Sequence, residues 1–289
     1  MKIIITKVIS GILLLVIALY LLVYTYFTLI DIETKEPKET EVECELNTEE
    51  FMERKVFILK PKNISKSKIK ILYFHGGSYV SEATQQHWDF IGQIVKDTGA
   101  TIIMPDYPLT PKYNYKDVFD MIVPLYKELI NQVSTSDLII MGDSAGGGLA
   151  LSLEERVAQE GLPMPEKTIL ISPWLDVRLN NPQIEEVQKL DKQLNKEVLK
   201  VAGISYAGED GINSYLVNPI DGDLTKLKNI IIFTGTYDIL NPDIKLLKEK
   251  AEKVGTQIEV KEYEKAGHNW IIEKNITHEA YQEIIKLIK

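Results

Sequence analysis

The chain has 289 residues, 45% hydrophobic and 26% charged, which suffices for one large domain or two small ones with a full core. A formal net charge of -9 argues against a nucleic-acid partner. The single cysteine, Cys44, excludes an internal disulfide framework and any cysteine-built metal cluster.

From Val8 to Ile30 the chain carries no charged residue. As a helix this run would measure roughly 35 Å, enough to cross a hydrocarbon core of about 30 Å. Lys2 and Lys7 precede it and an acidic stretch follows, so the positive-inside bias puts the N-terminus in the cytoplasm and the rest outside. Tyr20, Tyr24 and Tyr26 near its far end suit an interface. A cleaved signal peptide is the rival, but its apolar core is normally about 7–15 residues with a small-residue cleavage site. This run is longer and no such site follows, so residues 1–30 are read as an uncleaved, single-pass anchor. Residues 31–289 then form an extracellular domain. The excess of lysine over arginine suggests an AT-rich, bacterial genome.

Beyond a charged linker, short β-rich runs recur at 55–59, 69–74, 100–105, 137–142, 167–172, 229–235 and 257–263. Between them lie stretches with helical spacing at 115–133, 146–160, 243–255 and 277–289. In the first of these, Val118, Ile122, Leu125, Leu129 and Val133 share a face. Strands that are nearly all apolar, alternating with helices, predict an α/β fold with a mostly parallel central sheet flanked by helices. The rhythm breaks between Trp174 and Leu227, where a polar helical stretch replaces any core strand. An insertion of that length in a parallel sheet is usually functional and often a lid.

At the fourth of these runs the chain reads "MGDSAGGGLA", residues 141–150. A Gly–x–Ser–x–Gly match alone arises by chance in roughly one chain in ten of this length at ordinary glycine and serine usage. It gains weight only if the rest of the chain supplies a base, an acid and oxyanion donors. The chain has four histidines: His75, His87, His268 and His278. His268 lies in the loop after the last predicted strand, where it can reach over the sheet. His278 belongs to the final helix, His87 begins a helix, and His75 precedes "GGS" and holds that loop in shape. His268 is therefore the candidate base. Asp238 follows the strand at 229–235 and is the candidate acid. Asp243, five residues later, is explained by the first turn of the next helix. The order Ser144, Asp238, His268 is that of a nucleophile elbow on an α/β-hydrolase sheet. Gly142 and Gly146 let strand and helix pass closely, and the N–H of Ala145 points at developing negative charge.

The motifs "HGGSY", "PDYPLTPKY", "GDSAGGG", "SPWLD", "GTYDIL" and "GHNW" resemble the hormone-sensitive-lipase-like branch of the α/β-hydrolases, over roughly residues 53–289. The resemblance implies a Ser144–His268–Asp238 triad, and an oxyanion hole of backbone N–H groups from Gly76, Gly77, Ser78 and Ala145. It also implies a small helical cap from residues 31–52 and 176–222. Three departures stand out. Ser78 replaces the third glycine of HGGG. Pro108 and Lys112 replace the arginine and glutamate of D-Y-R-L-A-P-E. The cap is short.

The sequence thus predicts a membrane-anchored serine carboxylester hydrolase acting on a small-molecule ester of short to medium acyl chain. No metal or cofactor is called for. A lipase or amidase with the same triad, or a silent hydrolase fold used for surface binding, are the alternatives.

Overall fold

The computed structural model describes residues 31–37, 44–63, 67–273 and 279–289. The anchor expected in residues 1–30, and His278, lie outside the described residues. Among the described residues no helix is long and apolar enough to cross a membrane.

Eight strands form one sheet in the order β1-β2-β4-β3-β5-β6-β7-β8. β1 (Cys44–Phe51) and β2 (Arg54–Pro61) make an antiparallel hairpin, and β2 joins β4 (Thr101–Pro105) antiparallel. From β4 onward all neighbours are parallel: β3 (Lys70–Phe74), β5 (Leu138–Asp143), β6 (Lys167–Ile171), β7 (Ile230–Gly235) and β8 (Ile258–Tyr263). Every residue of β5 and β7 is buried, as expected of strands covered on both faces.

The pleat divides the core in two. Leu72 and Phe74 of β3, with Leu138 and Ile140 of β5, face helices α2 (Tyr115–Gln132), α3 (Ser144–Gln159) and α6 (Asn241–Lys253). Ile71, Tyr73, Ile139 and Met141 face α1 (Gln85–Thr98) and α7 (Glu279–Ile288). Local signals set the helix ends. Asn114 accepts the Lys116 N–H and Asp117 reciprocates at the N-terminus of α2, while Gly99 closes α1 in the left-handed region.

The seven predicted strands are present. Between β6 and β7, where no core strand was expected, lie two helices, α4 (Ile184–Val187) and α5 (Lys196–Ala207), and short 3-10 turns. One expectation is corrected. Residues 44–51, placed in a cap segment with 31–52, are instead edge strand β1, paired along its length with β2. Its sequence, CELNTEEF, hid this: an edge strand exposes much of itself and tolerates glutamates that a central strand cannot.

Residues 31–34 pack against the body. Asp31 accepts from Arg54, Lys112 and Tyr113, and the Thr34 N–H donates to Asp106. Arg54 also bonds the Asp106 carboxylate. Arg54 of β2 thus pairs with Asp106, and Lys112 with Asp31.

Candidate active site

β5 ends at Asp143 and α3 begins at Ser144 with no residue between, so the chain turns within a single residue. Ser144 takes a φ of 51°, a region where L side chains are strained. The turn closes only because its neighbours are bare. A Cβ on Gly142 would strike the Gly146 carbonyl, and one on Gly146 would strike that of Phe74. Both were expected to allow this close passage. Ala145, the second residue of α3, is among the first N–H groups, which have no intrahelical acceptor.

The loops that follow β7 and β8 converge on this serine. His268 Nε2 lies 2.9 Å from Ser144 Oγ, and its Nδ1 lies 2.9 Å from Asp238 Oδ2. An ionised carboxylate only accepts, so Nδ1 carries the proton and Nε2 is free to accept from the hydroxyl. Asp238 is fully buried, and its other oxygen accepts the Leu240 N–H at 2.9 Å. Burial disfavours the His268 cation, but Asp238, with Asp143 and Asp191 beyond it, raises its pKa above the ordinary histidine value. Asp243 sits in the first turn of α6, away from this pair. Its carboxyl receives the Asn181 amide, and burial pushes it up to about 6.

The loop after β3 holds Gly76, Gly77 and Ser78, the candidate oxyanion donors. Gly77, Ser78 and Tyr79 have φ of 116°, 55° and 63°, and this run of left-handed residues turns the backbone sharply. Among the described residues no protein acceptor takes the N–H of Gly77 or Ser78. Gly76 is a correction: its N–H donates to Asp143 Oδ1 at 3.0 Å and is not available to an oxyanion. A Cβ there would collide with the Asp143 carboxylate. His75 is buried, stacks on Tyr107 at 4.6 Å and bonds its neighbour's carbonyl through Nδ1. Burial, with His87 alongside, pulls its pKa down to about 4. Its contacts are those of a residue packed into the fold.

Sequence reasoning passed over the residue between glycine and serine. Asp143 is completely buried. It accepts from the Tyr73 hydroxyl at 2.6 Å, the Gly76 N–H at 3.0 Å and the Asn269 amide at 2.7 Å, and meets His87 Nε2 at 3.3 Å. Burial opposes its ionisation, yet His87, Tyr73 and His75 together hold its carboxyl below the usual range. Asp143 therefore joins β3, the loop after it, α1 and the loop that carries His268. His87, read from the sequence only as the start of a helix, belongs to this network. One signal was present: a charge directly after the apolar run "LIIMG" must find donors inside the protein. Asp191, in the excursion between β6 and β7, was also missed. It accepts the Ile239 N–H beside Asp238, so the excursion is tied to the acid's loop.

Among the described residues no group of three His, Cys, Asp or Glu side chains is disposed to hold a metal ion. What remains is a hydroxyl, an imidazole and a carboxylate in line, beside unpaired backbone donors. Such a site suits attack on a carbonyl.

A family model described as alpha/beta hydrolase fold matches residues 71–272. An esterase of Acinetobacter venetianus is 34% identical over 203 residues, covering 69% of this chain and 67% of that one. Human hormone-sensitive lipase is 28% identical over 163 residues, 54% of this chain but 15% of its own length. A crystal structure from Staphylococcus aureus superimposes with a TM-score of 0.83 at 28% identity, covering 88% of this chain and 86% of that one. An esterase of the bacterial hormone-sensitive lipase family has a TM-score of 0.79 at 22% identity over 87% and 84% of the two chains, a likeness of fold. The chain belongs to the α/β-hydrolase fold family, in its hormone-sensitive-lipase-like branch.

Proposed function

We propose that this chain is a serine carboxylester hydrolase. Ser144 is the nucleophile, His268 the general base and Asp238 the acid that fixes the imidazole's tautomer. Attack by Ser144 Oγ on the ester carbonyl passes its proton to His268 Nε2. The N–H groups of Gly77, Ser78 and Ala145 receive the oxyanion. The imidazolium then protonates the leaving alkoxide as the acyl–Ser144 ester forms. Water, deprotonated by His268, attacks that ester and restores the hydroxyl. The reading rests chiefly on one observation: Ser144, His268 and Asp238 are joined by two contacts of 2.9 Å although 124 and 30 residues separate the partners.

We further infer that residues 1–30 anchor residues 31–289 to the outer face of a membrane, since Val8 to Ile30 is free of charge. Residues 176–222 serve as the cap over the site. Relatives named esterase, acetyl-hydrolase and triacylglycerol lipase support ester over amide chemistry. The test is turnover of p-nitrophenyl acetate by Ser144→Ala. Loss of at least about a thousandfold is expected, because triad members act as a unit. Retention of most activity would sink the assignment.

A further inference from the structure

The outward side of helix α5 is wrong for water. A surface helix normally turns polar residues outward. On α5 the outward positions include Val198, Val201 and Ile204, which are 67%, 69% and 61% exposed. Their spacing of three residues makes a continuous stripe along the helix. Single exposed apolar residues need no explanation, but a contiguous β-branched stripe does.

The opposite side of α5 is bolted to the site. Leu199, Ala202, Gly203 and Tyr206 are buried. Tyr206 stacks on Tyr79 with ring centroids 3.6 Å apart, and Tyr79 directly follows Ser78. A Cβ on Gly203 would press Val177 at 2.6 Å. The stripe therefore lies on the outer surface of the element that covers the oxyanion loop.

The position of Asp31 says what faces the stripe. The uncharged run Val8 to Ile30 ends one residue before Asp31, which is about 3.8 Å of chain. Asp31 is pinned by Arg54 at 2.7 Å, Lys112 at 2.9 Å and Tyr113 at 2.8 Å. The same short segment, residues 110–116, grips the C-terminal end of α5. The Thr110 hydroxyl bonds that of Ser205, and Lys116 pairs with Asp210 at 2.8 Å. The end of the apolar run and the apolar stripe thus share one end of the molecule, with α5 itself only roughly 18 Å long.

We propose that the Val198–Val201–Ile204 face of α5 docks on the surface of a lipid bilayer, which seats the cap in the interface and opens the site toward esters dissolved there. The inference rests on the anchoring of residues 1–30 proposed above. Attraction is apolar: a chain of net charge -9 gains little from anionic lipid.

The test uses the full chain reconstituted in phosphatidylcholine vesicles. A nitrobenzoxadiazole probe is attached at Val201→Cys in a Cys44→Ser background. Blue-shifted emission that brominated lipid quenches is expected. In parallel, the triple variant Val198→Ser, Val201→Ser, Ile204→Ser should lose about tenfold in turnover of a long-chain p-nitrophenyl ester dissolved in the bilayer, with turnover of p-nitrophenyl acetate in water unchanged. Water-like emission from vesicle-bound protein overturns the docking and leaves the anchor standing. A blue shift that brominated lipid does not quench also overturns it. The occupant is then the chain's own residues 8–30 or, if the shift grows with protein concentration, a second copy. Protein that does not sediment with the vesicles overturns anchor and docking together. Inactivity of the unmodified chain on p-nitrophenyl acetate would instead count against the hydrolase reading.

Discussion

Replacing Asp143 by Asn keeps the shape of the side chain and removes its charge. The carboxylate is a sink for four donors: Oδ1 takes the Tyr73 hydroxyl and Gly76 N–H, while Oδ2 faces the Asn269 amide and His87 Nε2. An amide turns one of those oxygens into a donor. If its NH2 replaces Oδ2, the Asn269 amide can turn over, since its own Oδ1 has no partner among the described residues. His87 cannot adapt, because its Nδ1 accepts the Thr84 N–H at 2.9 Å and leaves the proton on Nε2. If the NH2 replaces Oδ1, the Tyr73 hydroxyl can rotate but the Gly76 N–H cannot. Either way one buried donor is orphaned, a loss of about 1–3 kcal/mol. For a domain of this size that lowers Tm by about 2–4 °C per kcal/mol. The oxyanion loop is loosened at Gly76 rather than deprived of a donor. We therefore expect kcat to fall about tenfold, short of the hundredfold or more that follows deletion of an oxyanion donor, with KM little changed. Because Asp143 is held below the usual carboxylate range, its stabilising contribution is present above the unfolded value, about 3.9, and is lost as pH falls through the folded value. The gap in Tm between wild type and variant should therefore close in acid. Thermal melts from pH 3 to pH 8, with p-nitrophenyl acetate kinetics at pH 8, test both limbs. An unchanged Tm and a kcat within about twofold would refute the positioning role. A thousandfold loss at constant Tm would make Asp143 a participant in the chemistry.

Further outcomes follow from the same geometry. Ser78→Gly relieves a φ of 55°, against an entropic cost of about 1 kcal/mol for the added glycine. Tm should hold or rise and turnover of short-chain esters should persist, whereas a hundredfold loss would implicate the Ser78 hydroxyl in the transition state. The raised pKa of His268 means that kcat/KM should climb with pH through a midpoint above about 6.5. The folding contribution of the charged His268–Asp238 pair runs oppositely, complete below the unfolded value and lost as pH rises through the folded one. A midpoint at or below 6.5 in the pH–rate profile would contradict this assignment of charges. Glu154 and Glu155 on α3 are buried. Burial pushes Glu154 up to about 7 and Glu155 well above its usual range, so the protonated forms are favoured in the fold. Their contribution is present below about 4.5 and lost as pH rises through the folded values. Glu154→Gln should accordingly flatten the fall of Tm between pH 5 and pH 8, and an unchanged slope would count against this account.

How far the sequence could be read depended on where each constraint lives. The central strands were legible because β5 and β7 are buried on both faces, and a solid apolar run admits few other readings. The candidate triad could be assembled because only four histidines competed and the proposed chemistry demands an order of partners. β1 was not, since CELNTEEF has the composition of a linker and becomes a strand only through its pairing with β2. Asp143 escaped for a different reason. Its partners Tyr73, Gly76, His87 and Asn269 lie 56 to 126 residues away along the chain, and no local pattern encodes them. The misassigned Gly76 N–H has the same cause, for the register of the HGG loop is set by a carboxylate on another strand. The stripe on α5 was written in the sequence, but its exposure depends on which side of that helix Tyr79 and Trp174 hold down.

The central claim is that Ser144 is an activated nucleophile whose base is His268. A fluorophosphonate probe reacts at phosphorus with such a serine and leaves a stable adduct that peptide mapping can locate. The account predicts a single adduct on Ser144 in the wild type, and labelling slowed at least about a thousandfold in His268→Ala. An adduct on another serine, or equal labelling of the His268→Ala variant, would contradict it.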